Sequence, residues 1–424
     1  MNPLELTDAA SARSSRIPAV LRERDFRRFW FGETVSLFGD QITLIALPLA
    51  GVLALHASAA EMGYLTAAGI APALVFSLHA GAWLDRRGGR RQTMLVTVLG
   101  RAALLLTIPI AYWLDVLTLA QLYVVAFLIG TLSVFFFVAY TTLFVSLVPR
   151  ERYLEANSLL NGSRAFSFVG GPSIGGVLVQ VLSAPGALIA DTVSFLASAF
   201  TLSTIKPVEP PTEEATEGHV KAGLRYLWRS PVIRASLLAT ATINFFNFVF
   251  WALFILYATR TLGVRPGVLG LVLGAASIGG LIGSVLTGRI SRWLGVGPAF
   301  VISCVLFTAP LLLVPLAHGS HWMVLPLLFA AEFLSGFGVM ILDIVGGSIK
   351  TALIPDRLRA RVAGAYMVVN YGVRPLGALL GGALGTWIGL RTTLWIGSAA
   401  AIAGVVWLLP SPLMRMRELP EVEE

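Results

Sequence analysis

Charge is scarce in this chain. Only 13% of its 424 residues are Asp, Glu, Lys or Arg, against about 25% in a soluble domain. Hydrophobic residues make up 56%, more apolar surface than one soluble core of this size can hide. A bilayer removes the difficulty, because lipid becomes the solvent for the surplus. Cysteine is almost absent: Cys304 is the only one, so no intrachain disulfide can form. No cysteine pair and no H-E-x-x-H motif offers a metal site, and no cofactor is expected. The stretch "VGGSIKT" (345–351) lacks the G-x-x-x-x-G-K-S/T phosphate loop, so the expected driving force is an ion gradient rather than ATP. Residues 1–28 are polar and arginine-bearing and lack the apolar core of a cleavable signal.

What is abundant is long apolar runs. A helical span needs roughly 20 mainly apolar residues. Twelve such spans are predicted, at 29–55, 62–84, 93–113, 119–148, 155–182, 186–206, 231–257, 266–292, 297–317, 322–351, 361–388 and 390–410. The runs do not alternate with period two, which favours helices over a membrane barrel. The expected fold is therefore an all-α membrane protein of two pseudo-symmetric six-helix bundles, 29–206 and 231–410. Tails at 1–28 and 411–424 flank them, and a linker at 207–230 divides them. The 42 glycines suit close helix packing in lipid.

The net charge of +8 is a topology signal here, not a nucleic-acid footprint. Lys and Arg concentrate in the N-terminal tail and the even-numbered loops. The opposite loops hold Arg260, Arg265 and Arg391. Both termini are thus expected in the cytoplasm, with the protein in the cell membrane. The linker opens with "PVEPPTEEATE", too polar to enter lipid. It continues as "HVKAGLRYLWRS", with Val220, Leu224, Leu227 and Trp228 on one helical face. That pattern suits a helix lying on the membrane surface.

The halves echo each other at an offset of about 206–207 residues. "LVPRERYLEANS" (147–158) matches "LIPDRLRARVAG" (353–364), and Gly171, Gly175 and Gly176 fall on Gly377, Gly381 and Gly382. "MGYLTAAG" (62–69) matches "LGLVLGAA" (269–276). A parallel repeat of six-span halves points to a substrate site between them and to alternating access by rocking.

On these features the chain resembles a major facilitator superfamily transporter over essentially its whole length. Gly81, Asp85, Arg86, Gly88 and Arg90 fit that family's loop motif G-x-x-x-D-R-x-G-R-R/K, with Gly89 departing where arginine is usual. The resemblance implies a cytoplasmic latch in which Asp85 helps hold the halves together. The arginines alone also serve as a positive-inside signal. Gly171, Pro172, Gly175 and Gly176 resemble the G-P-x-x-G-G core of the drug–proton antiporter motif, although Ser167 stands where a further glycine is usual. This implies export by antiport rather than uptake, and ordinary small-residue packing is the alternative. The fourth-span motif R-x-x-Q-G is absent, leaving Arg101 or Arg164 as substitutes. The opening span is similar to those of macrolide-efflux and enterobactin-exporter proteins.

Ionisable residues inside a span cost about 2.5–3.5 kcal/mol each on insertion scales and are functional candidates by default. Asp40 lies mid-span, with Glu33 seven residues earlier on the same face. Asp40 is the expected coupling carboxylate; the alternative is a permanent pair with Arg101 or Arg164. Glu332, Asp343 and Lys350 form a second stripe, in which Asp343 has Lys350 or Arg374 as candidate partners. Asp191 is expected to be structural. Aromatics crowd spans 4 and 7, including Phe136, Tyr140, Phe248 and Trp251. Opposed across a cavity, they would suit a hydrophobic or cationic aromatic substrate, with Asn244 and Asn247 as hydrogen-bonding groups. Asn247 falls on Asp40 in the repeat.

"GPSIG" (171–175) satisfies the serine-hydrolase pattern G-x-S-x-G, but an elbow needs a strand–turn–helix and a histidine partner. The expectation is a monomeric secondary transporter, not an enzyme, exporting small amphipathic molecules in exchange for protons. An uptake permease is the alternative, and a polytopic membrane enzyme or signalling protein the remoter one.

Overall fold

A computed structural model describes residues 18–206 and 220–419. The predicted polar half of the linker, and most of the N-terminal tail, lie outside the described residues.

Helix follows the apolar runs. The long helices are α1 (Arg24–Leu49), α2 (Ala59–Arg87), α3 (Arg90–Trp113), α4 (Leu119–Leu147), α5 (Tyr153–Leu182) and α6 (Ala184–Ser203). The second set is α7 (Pro231–Leu256), α8 (Pro266–Leu294), α9 (Val296–Thr308), α10 (His321–Leu353), α11 (Asp356–Trp387) and α12 (Leu390–Ile402). Among the described residues, eleven of these helices, taken with their adjoining 3-10 and π turns, are long and apolar enough to cross a membrane. The remaining one, α11, has the length at 32 residues but carries Arg359, Arg361, Asn370 and Arg374. Helix α9 breaks into a 3-10 turn at Ala309–Leu312, where Pro310 cannot donate to the ladder.

The repeat is explicit in the backbone. Helix α1 ends in a π turn at Ala50–Ala54, and α7 ends in one at Tyr257–Thr261, 207 residues on. The caps repeat too: Leu55 N–H donates to Ala50 O and Ala57 N–H to Gly51 O, as Leu262 does to Tyr257 and Val264 to Ala258. Helices α2 and α8 then run for 29 residues each. The N-terminal bundle packs α1 on α5 and α6, α2 on α4, and α3 on α4 and α6; the C-terminal bundle packs α7 on α11 and α12, and α8 and α9 on α10.

The bundles meet chiefly through two symmetry-related pairs, α2 with α11 and α5 with α8. Contact runs from one end to mid-helix, where Gly372 of α11 faces Leu74 of α2 and Ser277 of α8 donates to Phe168 O of α5. Gly63 of α2 stands against Gly382 of α11, and Gly176 of α5 against Gly270 of α8. These lie near the face farthest from the chain ends, here the distal face. Toward the opposite, terminal face the same helices part: a methyl added at Gly81, Gly162 or Gly364 would meet open space, and one at Gly288 only its own helix's Arg292. The distal closure is reinforced where Arg260, after α7, donates to Val52 O after α1 at 3.2 Å, and Gly267 N–H donates to Gln180 Oε1 at 3.1 Å.

The linker helix (Val220–Arg229) does not present its whole apolar face to a membrane. Leu227 is buried among Ile233, Leu237, Ile354 and Val362, and Tyr226 donates to Leu353 O at 2.6 Å. Trp228 stays exposed, and the side chains of Val220 and Leu224 lie outside the described residues. The helix is a bracket on the terminal end of the C-terminal bundle because its apolar stripe finds protein there.

Candidate functional site

The N-terminal bundle is built around an ion pair. Asp40 on α1 is bonded to Arg101 on α3. Arg101 is 4% exposed, and its guanidinium lies 4.1 Å from the ring centroid of Phe195 on α6 and 5.6 Å from that of Phe136 on α4. One side chain thus ties four helices, with aromatic faces replacing the water that a cation loses in lipid. Asp40 itself keeps a side chain 39% exposed, so the pair is closed on the arginine side and open on the carboxylate side.

Asp191 joins this cluster, which sequence reasoning placed apart as structural. It is fully buried on α6, accepts from Thr43 of α1, and accepts from Ser194 at 2.8 Å. Gly39 makes the approach possible: a methyl there would collide with Asp191 and Ser194. The signal in the sequence was the Asp191/Ser194 spacing of three, which puts both on the face of α6 that meets α1. Glu33 is buried two turns before Asp40 and feels the charges of Asp40, Arg101 and Arg164. Arg101, not Arg164, pairs with Asp40.

The C-terminal bundle keeps the polar positions and removes their charge. Glu33 falls on Thr240, Asp40 on Asn247, Arg101 on Thr308 and Arg164 on Asn370 at the 206–207 offset. Asn244 donates to Asn370 Oδ1 at 3.0 Å, and Thr240 and Tyr366 share a hydrogen bond of 2.7 Å. Asn247 is buried and its Nδ2 has no partner among the described residues. Its own charges lie elsewhere. Arg374 on α11 stacks on Tyr371 at 3.8 Å and flanks Phe248 of α7 at 5.3 Å. Lys350 lies 4.4 Å over Tyr366. Asp343 is exposed, within electrostatic reach of both cations, yet forms an ion pair with neither. Glu332 is 1% exposed, and its Oε1 has no hydrogen-bond partner among the described residues.

The ring contacts of the α4 and α7 aromatics lie within their own bundles. Tyr140 stacks on Phe29 of α1 at 5.5 Å and on Phe136 at 6.3 Å. Trp251 packs edge-on to Phe250 and Phe254 within α7. Each bundle uses its rings to solvate its own cations and fill its own core.

The glycine motif of α5 works at two interfaces. Gly171 and Gly175 seat α5 on Gln41 and Ile42 of α1, while Gly176 seats it on Gly270 of α8. Gly377, Gly381 and Gly382 repeat this, the first two against Phe245 and Val249 of α7 and the last against Gly63 of α2. Pro172 removes the donor for Phe168 O, and Ser277 of α8 supplies one at 2.7 Å. Ser173 lies inside α5, which excludes a hydrolase elbow.

At the α2–α3 turn, Gly88 and Gly89 both adopt positive φ, 62° and 65°, which a side chain disfavours. This accounts for glycine at 89 in place of arginine. The side chain of Asp85 lies outside the described residues. Arg86 is exposed and Arg90 buried, each with interaction partners. Arg91 donates to Leu202 O at 2.9 Å and also to Ser203 O, fastening α3 to the end of α6.

Two repeated bundles closed at one face and parted at the other, with an ion pair inside the spans, define a membrane transporter. The sequence matches the Major Facilitator Superfamily over residues 29–326 and 236–424, and the chain belongs to that family. It is 27% identical to the "Multidrug efflux pump Tap" of Mycolicibacterium fortuitum over 400 residues, covering 90% of this chain and 93% of the relative. It is 25% identical over 412 residues to the MFS-type transporter YfiS of Bacillus subtilis, covering 91% and 93%. A crystal structure of a bacterial homologue of the iron transporter ferroportin, in an inward-facing state, has the same fold, with a TM-score of 0.76, 16% identity and coverage of 91% and 98%. An inward-facing bacterial homologue of the lysosomal transporter Spinster matches with a TM-score of 0.67 and 13% identity, covering 92% and 95%.

Proposed function

We propose that the chain exports small amphipathic molecules across the cell membrane in exchange for protons, by alternating access with both termini cytoplasmic. The observation that carries the coupling is the Asp40–Arg101 pair, with its buried cation and its half-open carboxylate. A proton taken up by Asp40 cancels the charge that holds Arg101. Because Arg101 also rests on Phe136 and Phe195, releasing it loosens α1 against α3, α4 and α6 together. Proton binding is thereby converted into a change in bundle packing. Glu33 and Asp191 flank the pair as secondary proton sites.

In this reading the parted terminal face is the cytoplasmic mouth, through which substrate enters. The glycine contacts of α2·α11 and α5·α8 are the shut outer gate, and Asp85 with Arg86 and Arg90 belongs to the opposite gate. Asn244 lines the C-terminal wall of the path, with the buried Asn247 one turn behind it. The efflux-pump relatives support outward transport. Everted vesicles given a fluorescent amphiphile such as ethidium, with and without an imposed pH gradient, test the reading. Gradient-driven accumulation, collapsed by a protonophore, is expected; uptake indifferent to the gradient would end the antiport proposal.

A further inference from the structure

The C-terminal bundle holds more cation than it neutralises. Around Asp343 lie Lys350 and Arg374, two cations and one carboxylate. Neither cation forms an ion pair with a described carboxylate. Glu332 does not repair the balance, because it precedes Asp343 by eleven residues, roughly 16 Å of helix. The N-terminal bundle differs, since Arg101 there has Asp40 as an ion-pair partner. An uncompensated cation within a span is costly and calls for a partner.

The repeat shows that these charges do not serve the fold. At the offset of 206 set by Pro149 and Pro355, the partners of Asp343, Lys350 and Arg374 are Phe137, Phe144 and Phe168. One bundle of the same design stands with phenylalanine at all three positions. The helix pairs α8·α10 and α7·α11 form two ridges, with Asp343 and Lys350 on the first and Arg374 on the second. Arg374 is held flat by Tyr371 and Phe248, and its Nε has no hydrogen-bond partner among the described residues. Arg374 is only half-buried and has no carboxylate partner among the described residues, so its planar guanidinium can take a carboxylate through its remaining N–H groups.

We propose that Arg374, assisted by Lys350, is the substrate subsite of the C-terminal bundle and binds the carboxylate of an amphipathic organic anion, with Asp343 as a neighbouring carboxylate whose charge opposes the substrate's. This deepens the export reading, on which it rests for the existence of a substrate path. It differs from the cation-binding expectation, since Phe248, one of the rings that would hold a cation, already flanks Arg374.

The test is binding, with no gradient present, so that failed proton coupling leaves it readable. Purified protein in nanodiscs is titrated with pyrenebutyrate, pyrenebutanol and pyrenebutylamine. The carboxylate is expected to bind about tenfold more tightly than the alcohol. Arg374→Gln should abolish that preference while leaving pyrenebutanol binding unchanged, and Arg374→Lys should restore part of it. Asp343→Asn should tighten pyrenebutyrate binding, a gain that misfolding cannot imitate. Equal or stronger binding of the alcohol or amine, no saturable binding of the carboxylate, or weaker carboxylate binding by Asp343→Asn would each overturn the proposal.

Discussion

Ser277 on α8 donates its hydroxyl to the carbonyl of Phe168 on α5, across the boundary between bundles, at 2.7 Å. That carbonyl is the one Pro172 leaves without an intrahelical donor. The proline therefore does more than bend α5. It exports a backbone acceptor to the other half of the protein, two turns from the Gly176–Gly270 contact.

Removing either end of this bond should loosen the distal closure. Ser277→Ala deletes the donor; Pro172→Ala gives Phe168 O an intrahelical N–H. Each is expected to shift the equilibrium toward the distally open form by about 0.5–1.5 kcal/mol, the net worth of one hydrogen bond. Spin labels on the distal ends of α2 and α11, in a Cys304→Ser background, would report a larger population of long distances. Because both changes remove the same bond, the double variant should show little more than either single.

Gly176→Leu should act more drastically. A methyl at Gly176 already lies 3.0 Å from the Cα of Gly270 and collides with Pro266 O, so a full side chain cannot coexist with the closed face. The same labels should find the distal face held open and transport abolished, with membrane insertion intact. Gly382→Leu, its repeat counterpart facing Gly63, should behave alike.

Much of this architecture was legible in advance. The apolar runs fixed the helices to within a few residues, because lipid imposes length and polarity together. The Gly171–Gly176 and Gly377–Gly382 echo located the packing that the bundles share. What remained hidden was pairing across elements. Nothing in the order of residues says that Asp40 reaches Arg101 rather than Arg164, or that Asp191 meets Thr43 across Gly39. The same holds for the aromatic clusters: composition gives rings but not their neighbours, and Phe136 and Phe248 lie beside Arg101 and Arg374.

Gly39→Ala tests the Asp191 cluster. The added methyl would strike both Asp191 and Ser194, forcing α1 from α6 beside the ion pair. Overpacking of this kind costs about 1–3 kcal/mol. A lowered unfolding temperature in detergent is expected. Asp191→Asn, which keeps the volume and the hydrogen bonds to Thr43 and Ser194 in part, should lower it less.

Asp85→Asn should slow transport while leaving protein abundance and orientation unchanged, because topology needs only the neighbouring arginines. Arg86→Gln with Arg87→Gln should produce the converse, altered insertion. Unchanged transport by the Asp85 variant would reduce the motif to a topology signal.

Asp40→Asn separates coupling from binding. The amide has nearly the volume of the acid but, like the protonated acid, no charge to hold Arg101, so the four-helix junction at Arg101, Phe136 and Phe195 should loosen and the unfolding temperature should fall. It cannot carry a proton in exchange. In proteoliposomes with a pH-sensitive dye inside, substrate addition to the wild type should move protons, and addition to Asp40→Asn should not. Substrate exchange without a gradient should persist, since the substrate path is untouched. Glu33→Gln, two turns away and outside the ion pair, should retain proton movement at a reduced rate. Full proton movement by Asp40→Asn together with none by Glu33→Gln would transfer the coupling role to Glu33 and leave Asp40 as a packing residue.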